Sequence, residues 1–289
     1  MMNDFLNLNG KMNDWGPFST VQTRVLVFSI GNPYEGHGPA LSPDNDSRCA
    51  NYVASRVSEM TGARYIAHIP YTTDRVGEIA TAWSPGYIPM EECVKKSIEF
   101  IKYHCNTLKE QDISFDRILI IVGHGGNNGI EKYDNWNELK ESYDLQEILF
   151  SGTIRVDLGK ILRALEPFSE ETRQAYLGVK GGHADTMEHS IATLYGGVDY
   201  GALYNLNLFI KQKGIDAALK KWPVIGGLGG YLKFGGERYD ALRNVSGLME
   251  CLKKFEEDGQ IFLFSEFARI VMDISLKITA SLVKPSEED

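Results

Sequence analysis

Apolar residues in this chain fall into short continuous runs and into longer stretches with helical spacing. Residues 24–30 (RVLVFSI) and 117–122 (RILIIV) are rich in β-branched residues and nearly continuous in apolar character. Such runs are typical of strands that are covered on both faces. A shorter run of the same kind covers residues 65–69. The pattern therefore predicts three strands, and the one at residues 24–30 is predicted to be buried on both faces.

Between and after these strands, apolar residues recur every three or four positions, which predicts amphipathic helices. One helix is predicted around residues 50–60, and a long one begins after Pro89 and extends to Leu108. A closing helix is predicted over residues 267–278, stopped at Pro285. The alternation predicts an α/β fold: a single three-layer domain with a mainly parallel sheet and helices on both faces.

The predicted domain spans residues 24–284, after an N-terminal extension at 1–23 and before a short tail at 285–289. Glycines are frequent from residue 196 to residue 236, and they cluster after residue 225. Because glycine is conformationally permissive, this stretch is predicted to be irregular connecting structure. No internal repeat or linker is visible, which favours one domain.

The composition is that of an ordinary globular protein, with 43% of the 289 residues hydrophobic and 24% charged, which argues against disorder. A net charge of −9 without a basic stripe predicts no binding to nucleic acid or to an anionic membrane. No apolar run approaches the roughly 18 residues of a membrane span. The start, MMNDFLNLNGKMNDWG, lacks the basic and apolar regions of a secretory signal.

The 4 cysteines are scattered, with no C-x-x-C pair. In a chain of this size, that pattern predicts reduced thiols in a cytoplasmic protein. Cys93 and Cys105 lie within the long helical pattern. They are predicted to be core residues, because a free cysteine behaves as a small hydrophobe.

Polar residues with metal-binding chemistry follow two of the predicted strands. Ligands of open α/β sheets bind just beyond the carboxyl ends of the strands. After the first strand, Glu35 and His37 are separated by one residue, so their side chains project to the same side of an extended loop, and Asp46 follows where the next helix begins. After the strand at 117–122, His124 stands among glycines that let other groups approach closely.

A third cluster, GGHADTMEHS, contains His183, Asp185, Glu188 and His189. Imidazole and carboxylate together suit Zn²⁺, Mn²⁺ or Fe²⁺. A shared carboxylate can bridge two ions about 3.5–4 Å apart, which can hold a nucleophilic hydroxide. No G-x-S-x-G elbow and no Walker P-loop offers another nucleophile.

Each candidate also has a structural interpretation. Asp46 is well placed as the N-cap of a helix that begins near Ser47. Glu188 suits the first turn of a helix, where the helix dipole favours an acidic residue. The glycines around His124 could form a tight turn. Three polar clusters that interrupt one α/β pattern nevertheless favour a functional role for the set.

The order and spacing of these motifs resemble the creatininase (creatinine amidohydrolase) family. The signature runs E-x-H-G-P-x-L, an aspartate eleven positions after the glutamate, strand-G-H-G-G-N, and H-A-x-x-x-E-x-S. The matching residues are Glu35, His37, Gly38, Pro39, Leu41 and Asp46, then His124 to Asn127, then His183, Ala184, Glu188 and Ser190. SPGYIPMEE, from Ser84, is also similar to a passage of the family. The resemblance runs from about residue 24 to residue 260.

The resemblance implies one α/β domain that holds two divalent ions, Zn²⁺ or Mn²⁺ with Fe²⁺ as a further choice, and that assembles into homohexamers. Carried over, Glu35 and His124 bind one ion. His37 and Glu188 bind the other ion, and Asp46 bridges the two. The implied partner is a small-molecule substrate.

The same resemblance implies the catalytic roles. His183 and Glu188 are the implied catalytic residues, and His183 corresponds to the histidine that passes a proton to the leaving nitrogen. A metal-bridging hydroxide attacks the amide carbonyl while a metal stabilises the developing oxyanion. Members of the family include a formamide-cleaving deformylase.

Several positions depart from the family pattern. Creatininase has a carboxylate two positions after the G-H histidine, where this chain has Gly126. The usual H-A-G and E-T-S become H-A-D and E-H-S, so the chain resembles a divergent member rather than creatininase itself. The predicted substrate contacts are Asp185, His189, Asn127 and Trp83.

The leading hypothesis is a cytoplasmic, dinuclear metal-dependent amidohydrolase that cleaves a C–N bond of a small cyclic amide or formamide. One alternative keeps the metal and opens a cyclic polyol diketone by C–C hydrolysis, since the polar Asp185 and His189 suit a hydroxyl-rich substrate. Another alternative, from a different class, is a non-catalytic metal-binding scaffold of the same fold.

Overall fold

The computed structural model describes residues 24–179, 183–222 and 263–283. The chain divides into two compact units. The first unit comprises Met1–Pro33, Ala50–Arg155 and Leu276–Asp289, and the second comprises Tyr34–Cys49 and Val156–Ser275. The predicted limits of a single domain at 24 and 284 stay a prediction.

A four-stranded sheet forms the centre of the first unit, and all its strand pairs are parallel. Its strands are β1 (Val25–Ile30), β2 (Arg64–Ile69), β3 (Arg117–Val122) and β4 (Glu147–Gly152), in the order β2-β1-β3-β4. β1 is buried along its whole length, as its continuous apolar run predicts. The predicted α/β class with a parallel sheet is confirmed. β4 was not predicted, because its apolar run is short and has exposed ends.

Nine α-helices are described in these parts of the chain. They are α1 (Asn45–Thr61), α2 (Met90–Glu110), α3 (Asn135–Tyr143), α4 (Leu158–Leu165), α5 (Glu170–Leu177), α6 (Thr186–Ala192), α7 (Tyr200–Lys213), α8 (Ile215–Lys221) and α9 (Ser265–Ser281). α1 and α9 each run from one unit into the other along the chain. Among the described helices, none has the length and apolar character needed to cross a lipid bilayer.

The core of the first unit packs α2 and α3 against the sheet. Phe28 and Ile120 of neighbouring strands are fully buried together with Ile101 of α2. Cys93 and Cys105 lie in the same cluster, which confirms their predicted core position. Burial raises the pKa of Cys93 to about 11 and that of Cys105 to about 12, so both remain uncharged thiols at neutral pH.

The second unit has its own apolar cluster, in a part of the chain for which the glycines predicted irregular structure. The prediction of irregular structure over residues 196–236 is wrong for α7 and α8, which occupy most of the interval up to residue 221. The glycine cluster that suggested it begins after residue 225 and lies outside the described residues. The buried residues of this cluster are Ala40, Ala184, Leu203, Leu206, Ile210, Ala218 and Leu263.

The strand order sets where a ligand of the first unit would bind. From β1 the chain passes to β2 on one side, and β3 lies on the other side of β1. Loops after β1 and β3 therefore diverge at their carboxyl ends, which is the usual ligand crevice of an open α/β sheet. The ladder continues past β3, since Gly123 N–H donates to the Ile30 carbonyl over 2.8 Å.

Asp199 caps α7, and its replacement tests how this helix is held. The Asp199 carboxylate accepts a 2.9 Å hydrogen bond from Ala202 N–H. We expect Asp199→Ala to lower the free energy of unfolding of the second unit by about 1 kcal/mol, because a helix N–H loses its acceptor. Asp199→Asn should stay within a few tenths of the parent. Urea denaturation followed by circular dichroism measures both, and equal losses in the two variants would contradict the capping role.

Candidate metal centre

A closed loop after β1 presents the first two candidate ligands. Glu35 N–H donates to the Pro43 carbonyl over 3.0 Å, which ties the two ends of the loop together. Gly38 turns the loop at φ +81°, in the left-handed region that favours glycine. Glu35 and His37 are each only 1% exposed. The loop therefore directs an acid and an imidazole into the interior of the second unit.

Hydrogen bonding orients the His37 ring. Its Nδ1 lies 3.0 Å from the Glu35 carbonyl oxygen, and since a carbonyl only accepts, Nδ1 carries the hydrogen. Nε2 then faces Asp46 Oδ1 at 3.3 Å and Glu188 Oε1 at 3.6 Å. Burial lowers the pKa of His37, but the attraction of the two carboxylates outweighs it and raises the pKa well above its ordinary value. The ring thus points its metal-binding nitrogen at two anions.

Asp46 lies within the first turn of α1, which begins at Asn45. The alternative interpretation of Asp46 as the cap preceding that helix is therefore wrong. A carboxylate in the first turn is favoured by the positive end of the helix dipole. Asp46 is 4% exposed and directs one oxygen to His37. The start of α1 therefore stabilises the negative charge of Asp46 and fixes its position.

Glu188 takes part in two hydrogen bonds that hold the start of α6. Asp185 Oδ1 accepts a 2.8 Å hydrogen bond from Glu188 N–H, and Glu188 Oε2 accepts one from Ala184 N–H. The structural interpretation of Glu188 as a first-turn acid is thus correct, but its other oxygen faces His37. Burial raises the pKa of Glu188, and the attraction of His37 outweighs this and lowers it. Glu188 therefore stabilises the start of α6 with one carboxylate oxygen and faces His37 with the other.

His183 lies beside His37, with 4.5 Å between the ring centroids. Its Nε2 is 2.6 Å from the Gly36 carbonyl oxygen, so Nε2 carries the hydrogen. Nδ1 faces Glu35 Oε1 at 3.6 Å. The contacts leave Nδ1 as the atom that could take a proton or a cation. The proton-transfer role implied by the resemblance stays a prediction.

These side chains form two overlapping donor groups in the second unit. Glu35, His37 and His183 make one group, and His37, Asp46 and Glu188 make the other, with ligand atoms within 4.8 Å of one another in each. His37 belongs to both, but only its Nε2 is available, so it can serve one ion. The 3.3 Å and 3.6 Å separations favour the group with Asp46 and Glu188 for that ion.

Asp185 and His189, predicted as substrate contacts, have contacts within α6. Asp185 caps the helix through Glu188 N–H. His189 is 2% exposed, and its Nδ1 lies 2.8 Å from the Asp185 carbonyl oxygen one turn earlier. Burial lowers the pKa of His189, so the ring is neutral. Their contact with a substrate stays a prediction.

His124 lies in the first unit, in the loop after β3, and faces an acid that the sequence analysis missed. Its Nε2 is 3.6 Å from Asp74 Oδ2. Burial raises the pKa of Asp74, but His124, the Val76 N–H and, to a smaller extent, Trp83 lower it below its ordinary value. The assignment of His124 to the same ion as Glu35 stays a prediction.

The signal for Asp74 was present in the chain. Asp74 follows β2, which ends at Ile69, just as Glu35 and His124 follow β1 and β3. The rule that ligands bind beyond the carboxyl ends of strands would have found it if applied to all three strands.

Asn127 joins the loops after β2 and β3. It is fully buried, and its Oδ1 accepts hydrogen bonds from Thr73 N–H at 2.9 Å and from the Thr72 hydroxyl at 3.3 Å. These contacts give Asn127 a role in holding loops. Its predicted contact with a substrate, like that of Trp83, which is 4% exposed, stays a prediction.

Comparisons with known proteins identify several relatives. The chain is 30% identical over 114 residues to the 2-amino-5-formylamino-6-ribosylaminopyrimidin-4(3H)-one 5'-monophosphate deformylase of Methanococcus maripaludis. The matched region covers 39% of this chain and 47% of the relative. The deformylase of the same name from Methanosphaera stadtmanae is 27% identical over 210 residues, covering 70% and 74%. The match thus spans about half the length of the Methanococcus relative. No protein-family model matches the chain.

Solved structures of creatininase are also similar to this chain. One covers 62% of this chain and 68% of its own at 17% identity, with a TM-score of 0.45. A manganese form covers 63% and 69% at 18% identity, again with a TM-score of 0.45. The curated relatives confirm the resemblance to the creatininase family that the motifs predicted, and a divergent member fits them.

Replacement of Asn127 tests how the two loops of the first unit are joined. We expect Asn127→Ala to lower the free energy of unfolding by about 1–3 kcal/mol, because the buried Thr73 N–H loses its acceptor. The neighbouring Asn128 is exposed, so Asn128→Ala is the matched control and should change stability by less than about 0.5 kcal/mol. Denaturant midpoints measure both, and similar values for the two variants would contradict the assignment.

Proposed function

We propose that this chain, which resembles the creatininase family, is a metal-dependent hydrolase that cleaves the C–N bond of a small cyclic amide or formamide. One observation supports the proposal above the others. His37 Nε2 faces Asp46 and Glu188, while its other ring nitrogen is occupied by a backbone carbonyl. A histidine fixed in this way, with carboxylates around its lone pair, is the usual arrangement of a metal ligand.

The distances in this group fit a divalent ion. Two donors that each lie about 2.0–2.2 Å from a tetrahedral ion are separated by roughly 3.3–3.6 Å. The His37–Asp46 and His37–Glu188 separations are 3.3 Å and 3.6 Å. Mixed nitrogen and oxygen donors suit Zn²⁺, Mn²⁺ and Fe²⁺. Asp46 is buried, and a buried carboxylate needs compensating positive charge, which a cation provides.

A bound divalent ion would supply Lewis acidity, polarising a carbonyl and lowering the pKa of water. His37, Asp46 and Glu188 would hold it. His183 would hold and move a proton at Nδ1, the atom that faces Glu35, and so protonate the leaving nitrogen. We include in the proposal a second ion and homohexameric assembly, which the family resemblance implies, and the cytoplasmic location that the scattered cysteines predict.

A formamide is the substrate class that the relatives favour. The curated relatives are named as deformylases of a formylaminopyrimidine, and formamide cleavage is the C–N hydrolysis that we propose for this chain. The alternative of a cyclic polyol diketone drew on Asp185 and His189. Both side chains make hydrogen bonds at the start of α6, which gives them a structural role that needs no polyol substrate.

Metal content tests the metal centre directly. We expect Asp46→Asn to bind divalent metal at least about tenfold more weakly than the parent, because an amide is a poorer ligand than a carboxylate of the same shape. Asp44→Asn is the matched control, since Asp44 stands in the same loop but in neither donor group. Plasma mass spectrometry after Mn²⁺ or Zn²⁺ reconstitution gives ions per chain. Absence of metal from the parent after reconstitution would reject the proposal.

Formate release tests the reaction. We expect the metal-loaded parent to release formate from at least one member of a formamide panel, and Glu188→Gln to lose on the order of 100-fold in kcat/KM, because it removes a charged ligand but keeps an oxygen for the cap. Glu171→Gln, at an exposed first-turn glutamate of α5, should retain parental activity. Activity on oxidised cyclitols with none on any amide would overturn C–N cleavage in favour of the polyol alternative.

A further inference from the structure

Two loops of the first unit are joined so that an acid and an imidazole face each other. Arg75 N–H donates to the Gly126 carbonyl over 2.9 Å. Thr73 N–H donates to Asn127 Oδ1, also over 2.9 Å. In the loop after β2, the two donors are the residues on either side of Asp74. In the loop after β3, the two acceptors follow His124 by two and three positions. The relative position of the two side chains is therefore set by backbone contacts on both sides.

The two side chains present one donor atom each. Asp74 Oδ1 accepts a 3.0 Å hydrogen bond from Val76 N–H, and Oδ2 faces His124 Nε2 at 3.6 Å. This separation is too long for a hydrogen bond, but it equals the roughly 3.3–3.6 Å expected between two ligands of one tetrahedral ion. The side chains are only 5% and 6% exposed, so a charge held between them is shielded from solvent.

Gly126 keeps the space at this pair open. A Cβ added at residue 126 would lie 2.3 Å from His124 Nε2 and 2.7 Å from Asp74 Oδ2. Any side chain at that position would displace the imidazole, the carboxylate or both. The absence of a side chain at residue 126 thus allows a carboxylate from the loop after β2 to stand beside His124.

We propose that Asp74 and His124 are ligands of one divalent cation, with Asp74 supplying its carboxylate in the first unit. The inference rests on the proposed function, because it assigns a ligand to the metal chemistry of this chain. An imidazole nitrogen and a carboxylate oxygen make a donor pair for Zn²⁺, Mn²⁺ or Fe²⁺. Asp74 was absent from every motif of the sequence, so it adds a residue to the predicted ligand set.

Metal titration of the full-length chain tests the pair. We expect Asp74→Asn to lose about one Mn²⁺ ion per chain, or to bind it at least about tenfold more weakly, and His124→Ala to lose the same ion. Asp134→Asn, at an exposed acid between β3 and α3, is the matched control and should keep parental stoichiometry. Equilibrium dialysis measures the number of ions, and electron paramagnetic resonance of free and bound Mn²⁺ measures the affinity.

Gly126→Ala provides a second, independent variant, in which Asp74 and His124 themselves are not substituted. We expect it to weaken the same ion, because its methyl group would crowd His124 Nε2 and Asp74 Oδ2. Circular dichroism confirms folding of each variant before titration. If the parent binds metal while Asp74→Asn and Gly126→Ala both bind it with parental stoichiometry and affinity, the inference is wrong and the proposed function stands. If the parent binds no metal, the proposed function itself fails.

Discussion

Negative charge that is buried beside one imidazole is the constraint on which the second unit depends. Asp46 and Glu188 point at His37 Nε2 from two different helix starts, and Glu35 lies on the same closed loop as His37. Isolated buried carboxylates are strongly unfavourable, so they require a proton, an imidazolium or a cation between them. The loop, the first turn of α1 and the start of α6 all serve to hold these charges at ligand spacing.

Most of the site side chains use one atom for structure and leave another for chemistry. His37 binds a carbonyl through Nδ1, Glu188 accepts the Ala184 N–H through Oε2, and Asp74 accepts a backbone N–H through Oδ1. These bonds fix the conformation of each side chain, so the direction of its remaining donor atom is fixed as well. Pre-organisation of this kind lowers the entropic cost of binding an ion. It also means that isosteric amide variants separate the structural contribution from the charge.

In the first unit, structural contacts likewise position candidate metal ligands at the carboxyl ends of the strands. The parallel order β2-β1-β3-β4 brings the ends of β2 and β3 to the same edge of the sheet. Asn127 then bonds to the loop after β2, and Gly126 leaves room between Asp74 and His124. Asn127 thus holds the two loops together, while Asp74, an acid outside the motifs, faces His124.

The strands β1 and β3, the helix α2 and the motif residues could be predicted because each has a local signature: continuous apolar runs, apolar residues at helical spacing, and polar residues at strand ends. β4 could not be predicted, because its apolar run is short and its ends are exposed, as in a loop. α7 and α8 could not be predicted, because the glycines that follow them indicated irregular structure. Asp74 could not be paired with His124, because nothing local links residues fifty positions apart. Only the pairing of parallel strands and the hydrogen bonds between their loops bring such residues together, so the sequence by itself determined which groups could bind a metal, and the tertiary structure decided which of their atoms face each other.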